Sequence, residues 1–235
     1  LDRVDLKPIA ADQAAAVFRR CRAGAPVSAA EVAGLQAHLL RWLGGEYARR
    51  GWTLLLHLGA LRDTSTRTAQ TVGAAGGYAA MGPSLDVVPL CRLLDDLEEA
   101  DHLPRTVLFP LNPGDTEMLA TLAGSFRREG LPAAVQLGPA WWYNDHRDGI
   151  RRQLCAVANH GLLGRFIGMT TDARCLLSML RHQYFRRIFC GLLGDWVEAG
   201  ELPDDQALLA ELIGAVCHDN AARQLGLSGQ TEKAS

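Results

Sequence analysis

Apolar residues in this chain follow two periods. Val32, Leu35, Leu39, Leu40, Leu43 and Tyr47 recur every three or four positions, as one face of a helix does. Ser28 stands ahead of that run with Glu31 three residues on, the pattern of a capping box. A helix is therefore expected over 29–49, ended by Gly51. Similar spacing of Ala and Val predicts a shorter helix over 11–22, after an extended stretch 1–10 broken at Pro8. Four short apolar runs break the helical period: Trp52–Leu58, Thr106–Leu111, Ala134–Leu137 and Phe166–Thr170. Their length and flanking turn residues fit strands buried on both faces. Helices are expected between and after them over 85–100, 115–128, 146–161, 176–198 and 204–225, with Pro89 in the first turn of its helix. The Gly- and Ala-rich stretch 68–83 reads as irregular, and the polar tail after Gly226 as frayed.

Strand, loop and helix thus alternate four times, the pattern of an α/β fold with parallel strands. A complete (β/α)8 barrel takes about 250 residues and eight such units. This chain has nearly that length but four strands, and two helices precede the first. It is read as the second half of a large barrel: a helical lead-in over 1–50, half a barrel over 51–227 and a polar tail over 228–235. Because the first residue is Leu1, the chain is expected to begin inside a longer reading frame. Four open parallel strands would expose two edges and an apolar face, so self-association or pairing with the missing half is expected.

Composition narrows the function classes. With 48% hydrophobic and 21% charged residues, the 235-residue chain is globular rather than disordered. A net charge of -2 gives no global positive field for nucleic acid. No apolar run approaches the ~20 residues that span a bilayer. Lysine occurs only at Lys7 and Lys233, so nearly all positive charge is arginine. The six cysteines include no C-x-x-C pair, which argues against a zinc ribbon or a redox motif. No signal peptide is visible, and reduced thiols in a cytoplasm are expected. Cys155, Cys175, Cys190 and Cys217 fall in helical segments and are expected to be buried. The Gly-rich 73–77 region matches neither common nucleotide loop.

In parallel barrels the active site lies at the C-terminal ends of the strands. The polar residues there are His57 and Arg62, then Asn112 and Asp115, then Trp141, Trp142 and Asp145, then Asp172 and Arg174. Polar groups stand at strand ends by default, since the chain turns there. His57 interrupts Leu54-Leu-Leu-His-Leu58; such a histidine is more often a satisfied core residue, and otherwise binds a substrate oxygen or a metal. A carboxylate such as Asp172 after an apolar strand is costly to bury unless paired or bound to a metal. The guanidinium fork of Arg174 suits a carboxylate, whereas its bland reading pairs it with Asp172 or Asp145. The basic run Arg181–Arg187 is read as a solvated helix face.

Several uncommon motifs in order then carry a resemblance. Leu56-His57-Leu58-Gly59-Ala60-Leu61-Arg62, Leu111-Asn112-Pro113, Trp141-Trp142-Tyr143-Asn144-Asp145, Gly168-Met169-Thr170-Thr171-Asp172-Ala173-Arg174 and Arg181-His182-Gln183-Tyr184-Phe185-Arg186-Arg187 together resemble uronate isomerase (glucuronate isomerase). The resemblance runs from about residue 28 to 227. It implies the amidohydrolase superfamily, and so the C-terminal half of a distorted (β/α)8 TIM barrel of the metal-dependent hydrolase type. It implies reversible aldose–ketose isomerisation of D-glucuronate to D-fructuronate and of D-galacturonate to D-tagaturonate. By the T-D-x-R motif, Asp172 is expected at a divalent metal, by expectation zinc, and Arg174 at the substrate. By the H-x-G-A-L-R motif, His57 and Arg62 are expected in the substrate pocket, with Trp141 and Trp142 as its wall. The reaction would move a proton between C2 and C1 through a cis-enediol(ate).

The chain departs from the family in one respect. Family members carry an H-x-H metal motif, a tyrosine and an arginine in their N-terminal half, and this chain contains no H-x-H. The main metal ligands are therefore expected in the missing half, and the isolated chain is expected to be inactive. Its expected partners are a small-molecule uronate and either further copies of itself or that missing half, with no nucleic acid and no membrane. Two alternatives remain: a metal-dependent hydrolase of the same superfamily, and a non-catalytic fragment that binds sugar acids.

Overall fold

Ser28 Oγ accepts the Glu31 N–H at 3.2 Å while the Glu31 carboxylate accepts the Ser28 N–H at 2.8 Å. This reciprocal cap starts α2 (Ala29–Arg50), which ends at Gly51 with φ 66°. The computed structural model describes residues 6–128, 133–173 and 175–227. The chain divides into two compact units, Leu1–Thr106 and Val107–Ser235.

In the first unit, α1 (Ala11–Arg22) packs on α2 through Ala14, Val17 and Leu35, with Ile9 and Val27 closing the cluster. Helix α4 (Val87–Glu99) buries Leu90, Leu93, Leu94 and Leu97, spaced as one helical face requires. Arg41 of α2 donates to Asp96 at 2.8 Å through Nε and to the Leu6 carbonyl at 2.7 Å through Nη1. One guanidinium thus ties α2 to α4 and to the chain's entry. Strand β1 (Leu54–Leu58) is buried on one face only: Leu54, Leu56 and Leu58 point inward, while Leu55 is 44% exposed and His57 half-buried. The expectation of a strand buried on both faces is corrected here. Leu54 N–H donates to the Arg105 carbonyl at 2.7 Å, which registers the start of β1 beside the residues just before Thr106.

The stretch 68–83 is more regular than its composition suggests. Helix α3 (Thr66–Val72) starts where Ser65 Oγ accepts the Thr68 N–H at 3.2 Å. Strand β2 (Ala60–Leu61) pairs antiparallel with β3 (Ala80–Met81), Ala60 facing Met81 and Leu61 facing Ala80. The intervening excursion is closed by Thr64 and Tyr78: the Thr64 N–H and hydroxyl both donate to the Tyr78 carbonyl, at 3.2 and 2.5 Å.

Strand β4 (Thr106–Pro110) is buried at every position, as its continuous apolar run predicts. Asn112 caps the turn after it, its Oδ1 accepting the Gly114 N–H at 2.9 Å, and α5 (Thr116–Ser125) follows, ending three residues before the expected 128. Strand β5 (Val135–Leu137) lies beside β4, with Gly138 N–H donating to the Leu108 carbonyl at 2.7 Å. A helix separates two neighbouring strands here, and the architecture is α/β with a parallel sheet. Helix α6 (Arg147–His160) packs on α5 and on α7 (Leu180–Glu198).

The fourth expected strand, Phe166–Thr170, does not form. Phe166 and Ile167 are buried as predicted, but side chains satisfy their backbone in place of a ladder. Ile167 N–H donates to Gln136 Oε1 at 2.9 Å, and the Phe166 carbonyl accepts from Asn220 Nδ2 at 2.9 Å. At Gly168 the chain adopts φ 83°, and a Cβ there would stand 2.1 Å from the Val216 carbonyl oxygen. Only glycine meets both conditions. The last expected helix is also divided: α8 (Gln206–Gly214), a π-helical turn over Ala215–Asp219, and α9 (Asn220–Gln224). The expected tail beyond 227 lies outside the described residues.

Candidate active site

In the first unit, β1 and β2 position His57 and Arg62. The alternation of β1 puts His57 on the face it shares with Leu55, opposite the buried leucines. Arg62 follows β2 directly and is exposed. Its neighbour Asp63 has φ 53° and accepts the Ala75 N–H at 3.2 Å, so the loop carrying Arg62 is held by its own excursion. Tyr78 donates to the Gly73 carbonyl at 2.7 Å, and desolvation followed by the Asp63 carboxylate raises its phenol above the ordinary value.

In the second unit, the chain leaving β5 builds an aromatic step. Trp141 and Trp142 lie 5.5 Å apart at 57°, and Trp142 stacks on Tyr143 at 4.8 Å and 16°. Trp142 is 38% exposed and has φ 52°, an uncommon conformation for a bulky side chain. Asn144 Nδ2 donates to the Leu111 carbonyl at 2.7 Å, fixing the step to the end of β4. Asp145 forms an ion pair with Arg181, on the first turn of α7. Burial is the larger influence on Asp145 and raises its carboxyl above the ordinary aspartate value, against the lowering pull of Arg181. Arg181 Nη2 also donates to the Asp145 backbone carbonyl at 2.7 Å. The reading of 181–187 as a plain solvated face is corrected at Arg181, and the partner of Asp145 is this arginine.

Asp172 stands in the irregular segment after Gly168, exposed and with φ 48°. Aspartate tolerates that left-handed conformation better than most residues. The desolvation cost that made it a candidate does not arise in this setting, because its side chain is in solvent. Arg174 lies outside the described residues. The structure thus joins Trp141 to Trp142 and places His57 on β1 and Arg62 just after β2 of one unit, whereas Asp172 and the tryptophans belong to the other. The cysteines depart from expectation: Cys175 and Cys190 are exposed, and Cys155 and Cys217 half-buried.

Among the described residues, no group of three or more His, Cys, Asp or Glu side chains is placed to hold a metal ion. Asp172 alone does not make a metal centre. The described residues therefore do not by themselves fit a complete site for a divalent metal, and no step is assigned to one. A cavity of about 350 Å3 opens at the other end of β5, between the C-terminal ends of α5 and α6, with Phe126, Val135, Val157 and His160 in its lining. That is the end opposite Trp141, and it takes no part in the candidate site. Among the described residues, no helix is long and apolar enough to cross a membrane.

The fold places these side chains on an α/β framework at or beyond the C-terminal ends of β1, β2 and β5, where enzymes of this class carry their chemistry. Comparison with known proteins makes the family specific. The glucuronate isomerase family model matches residues 1–225, and the chain belongs to that family. It is 42% identical over 214 residues to a uronate isomerase of Photorhabdus laumondii, covering 91% of this chain and 45% of that protein. It is 44% identical over 208 residues to a uronate isomerase of Salmonella paratyphi B, covering 88% and 44%. The crystal structure of a uronate isomerase from Thermotoga maritima superposes with a TM-score of 0.85 at 28% identity, covering 95% of this chain and 48% of that one. The chain spans about half the length of the curated relatives it matches.

Proposed function

We propose that this chain works in aldose–ketose isomerisation of uronates, D-glucuronate to D-fructuronate and D-galacturonate to D-tagaturonate. The observation that carries this reading is the family match across residues 1–225. The motif runs around His57, Trp141 and Asp172 support it. In the reaction a base removes the C2 proton, the C2 hydroxyl proton moves toward the C1 oxygen, and C1 is reprotonated. No oxidant is consumed. The residue roles rest on the family's motifs together with the chemistry the reaction needs. Arg62 and Arg174 bind the C6 carboxylate or its neighbouring hydroxyls. His57 hydrogen-bonds a hydroxyl near the reacting carbons. Trp141 and Trp142 wall the sugar, and Asp172 exchanges a proton with it.

The same reading extends to architecture and setting. The chain is proposed as the C-terminal half of a distorted (β/α)8 barrel of the amidohydrolase type, with a lead-in over 1–50, the half-barrel over 51–227 and a tail over 228–235. A divalent metal, zinc by proposal, would take its main ligands from outside this chain, with Asp172 as one contact. The setting is proposed as cytoplasmic, and the partners as a uronate and either another copy of the chain or the complementary half.

The test is ketose formation from D-glucuronate, by this chain alone and with the unmatched portion of the Photorhabdus relative added. Ketose formed in either mixture supports the proposal. Cleavage of an ester or lactone without ketose formation would favour a hydrolase instead.

A further inference from the structure

The aromatic step after β5 is costly to hold. A tryptophan at φ 52° is disfavoured, and Trp142 is 38% exposed, so its burial is incomplete. Something else must fix the loop. Asn144 holds its inner side to Leu111, and Asp145 N–H donates back to the Trp142 carbonyl at 3.1 Å. On its outer side stands Arg181, which grips Asp145 twice, at the carboxylate and at the backbone carbonyl. The Asp145 side chain is 10% exposed, and its Oδ1, like Arg181 Nε, is buried with no hydrogen-bond partner among the described residues. The Arg181 side chain is 37% exposed, and an ion pair of this kind, with unfilled hydrogen-bonding capacity among the described residues, is a poor way to gain stability. It is an effective way to fix one geometry.

We propose that Arg181 and Asp145 form a positioning clamp that holds the Trp141–Trp142–Tyr143 step in its ligand-ready arrangement. The ligand part of this statement rests on the isomerase reading; the clamp itself does not. A second ion pair provides the comparison. Arg151 of α6 binds Asp195 of α7 at 2.6 Å, with side chains 36% and 58% exposed. It ties α6 to α7, the helix whose first turn carries Arg181, without touching the aromatic step.

The experiment reads the Trp–Trp exciton couplet by circular dichroism, assigned with Trp142→Phe. Arg181→Met is expected to abolish the couplet, and Arg151→Met to leave it intact even where both variants lower Tm. Asp145→Asn, which keeps the side chain's shape, is expected to match Arg181→Met and decides the question should that variant not fold. A wild-type couplet in Asp145→Asn or in a folded Arg181→Met overturns the clamp. So does equal loss in Arg151→Met, which would reduce Arg181 to helix docking. Titration with D-glucuronate, followed by tryptophan fluorescence, is the second arm, with weaker binding expected in Asp145→Asn than in wild type. A wild-type chain silent to D-glucuronate even with the unmatched portion of the Photorhabdus relative added counts against the isomerase reading, and the couplet still decides the clamp.

Discussion

The amide of Asn220 reaches the backbone carbonyl of Phe166 across 54 positions of sequence, donating at 2.9 Å from a side chain only 2% exposed. The same Nδ2 donates to the Gly164 carbonyl at 3.0 Å. Removing it leaves two carbonyls without this donor, one of them on a buried residue. Asn220→Ala is expected to cost about 2 kcal/mol, read as a lower urea midpoint at unchanged m-value.

Gly168 makes a sharper prediction. A Cβ at this residue would meet the Val216 carbonyl oxygen at 2.1 Å, on a backbone already at φ 83°. Gly168→Ala is expected to destabilise by at least about 2 kcal/mol. Gly194 is the control: a methyl group added there would meet nothing within 4 Å, and alanine suits a helix better than glycine does. Thermal unfolding of the two variants should move in opposite directions.

Acid stability should depend on the α2 cap. The Ser28 backbone N–H foremost, then Arg20, holds the Glu31 carboxyl down from 4.5 to about 2. A carboxyl lowered on folding contributes stability that is fully present above its unfolded value and lost as pH falls through its folded one. The difference in Tm between wild type and Glu31→Gln should therefore shrink between pH 4.5 and about 2. A constant difference across that window would contradict it.

Thiol chemistry should single out Cys175. It is exposed, and the Ser178 hydroxyl, 3.3 Å away, lowers its thiol below the ordinary value. Burial raises the thiols of Cys155 and Cys217. Iodoacetamide at neutral pH should modify Cys175 ahead of those two, as mapped by mass spectrometry, and Ser178→Ala should slow it.

Asp172→Asn tests the proposed chemistry. The side chain is exposed at φ 48°, and asparagine accepts that conformation equally well, so stability should change by less than about 0.5 kcal/mol. Ketose formation in the active assembly should fall by about 10²–10⁴-fold if Asp172 exchanges the proton. Near-normal turnover would remove it from the site.

The helices and the buried strands are legible because their signals are local. Ser28 with Glu31 marks a helix start within four residues, and the apolar run Thr106–Leu111 marks a strand by itself. Phe166–Thr170 carries the same apolar signal and forms no strand, for a physical reason. Burial is visible in a sequence, but whether a buried backbone is satisfied by a ladder or by Gln136 and Asn220 is not. The helix after Ser65 has a signal of its own, a capping residue before a seven-residue run, hidden by the glycines that follow. At the site, motif spacing finds His57, Trp141, Trp142 and Asp172. It gives Arg181 no role, although that residue opens one of the motif runs, because nothing local says which of several cations on a helix meets an acid 36 residues earlier.

The π-helical turn over Ala215–Asp219 bears on how this chain tolerates change. Such a turn accommodates one more residue than the surrounding helix. Were the same residues wound as a regular spiral, everything beyond them would swing by about 100°. Asn220 and Gln224 would then face away from Phe166 and Gln136, the groups they now reach. The irregularity is therefore a phase setting for α9, and a substitution that favours the regular spiral here would turn Asn220 and Gln224 away from their partners.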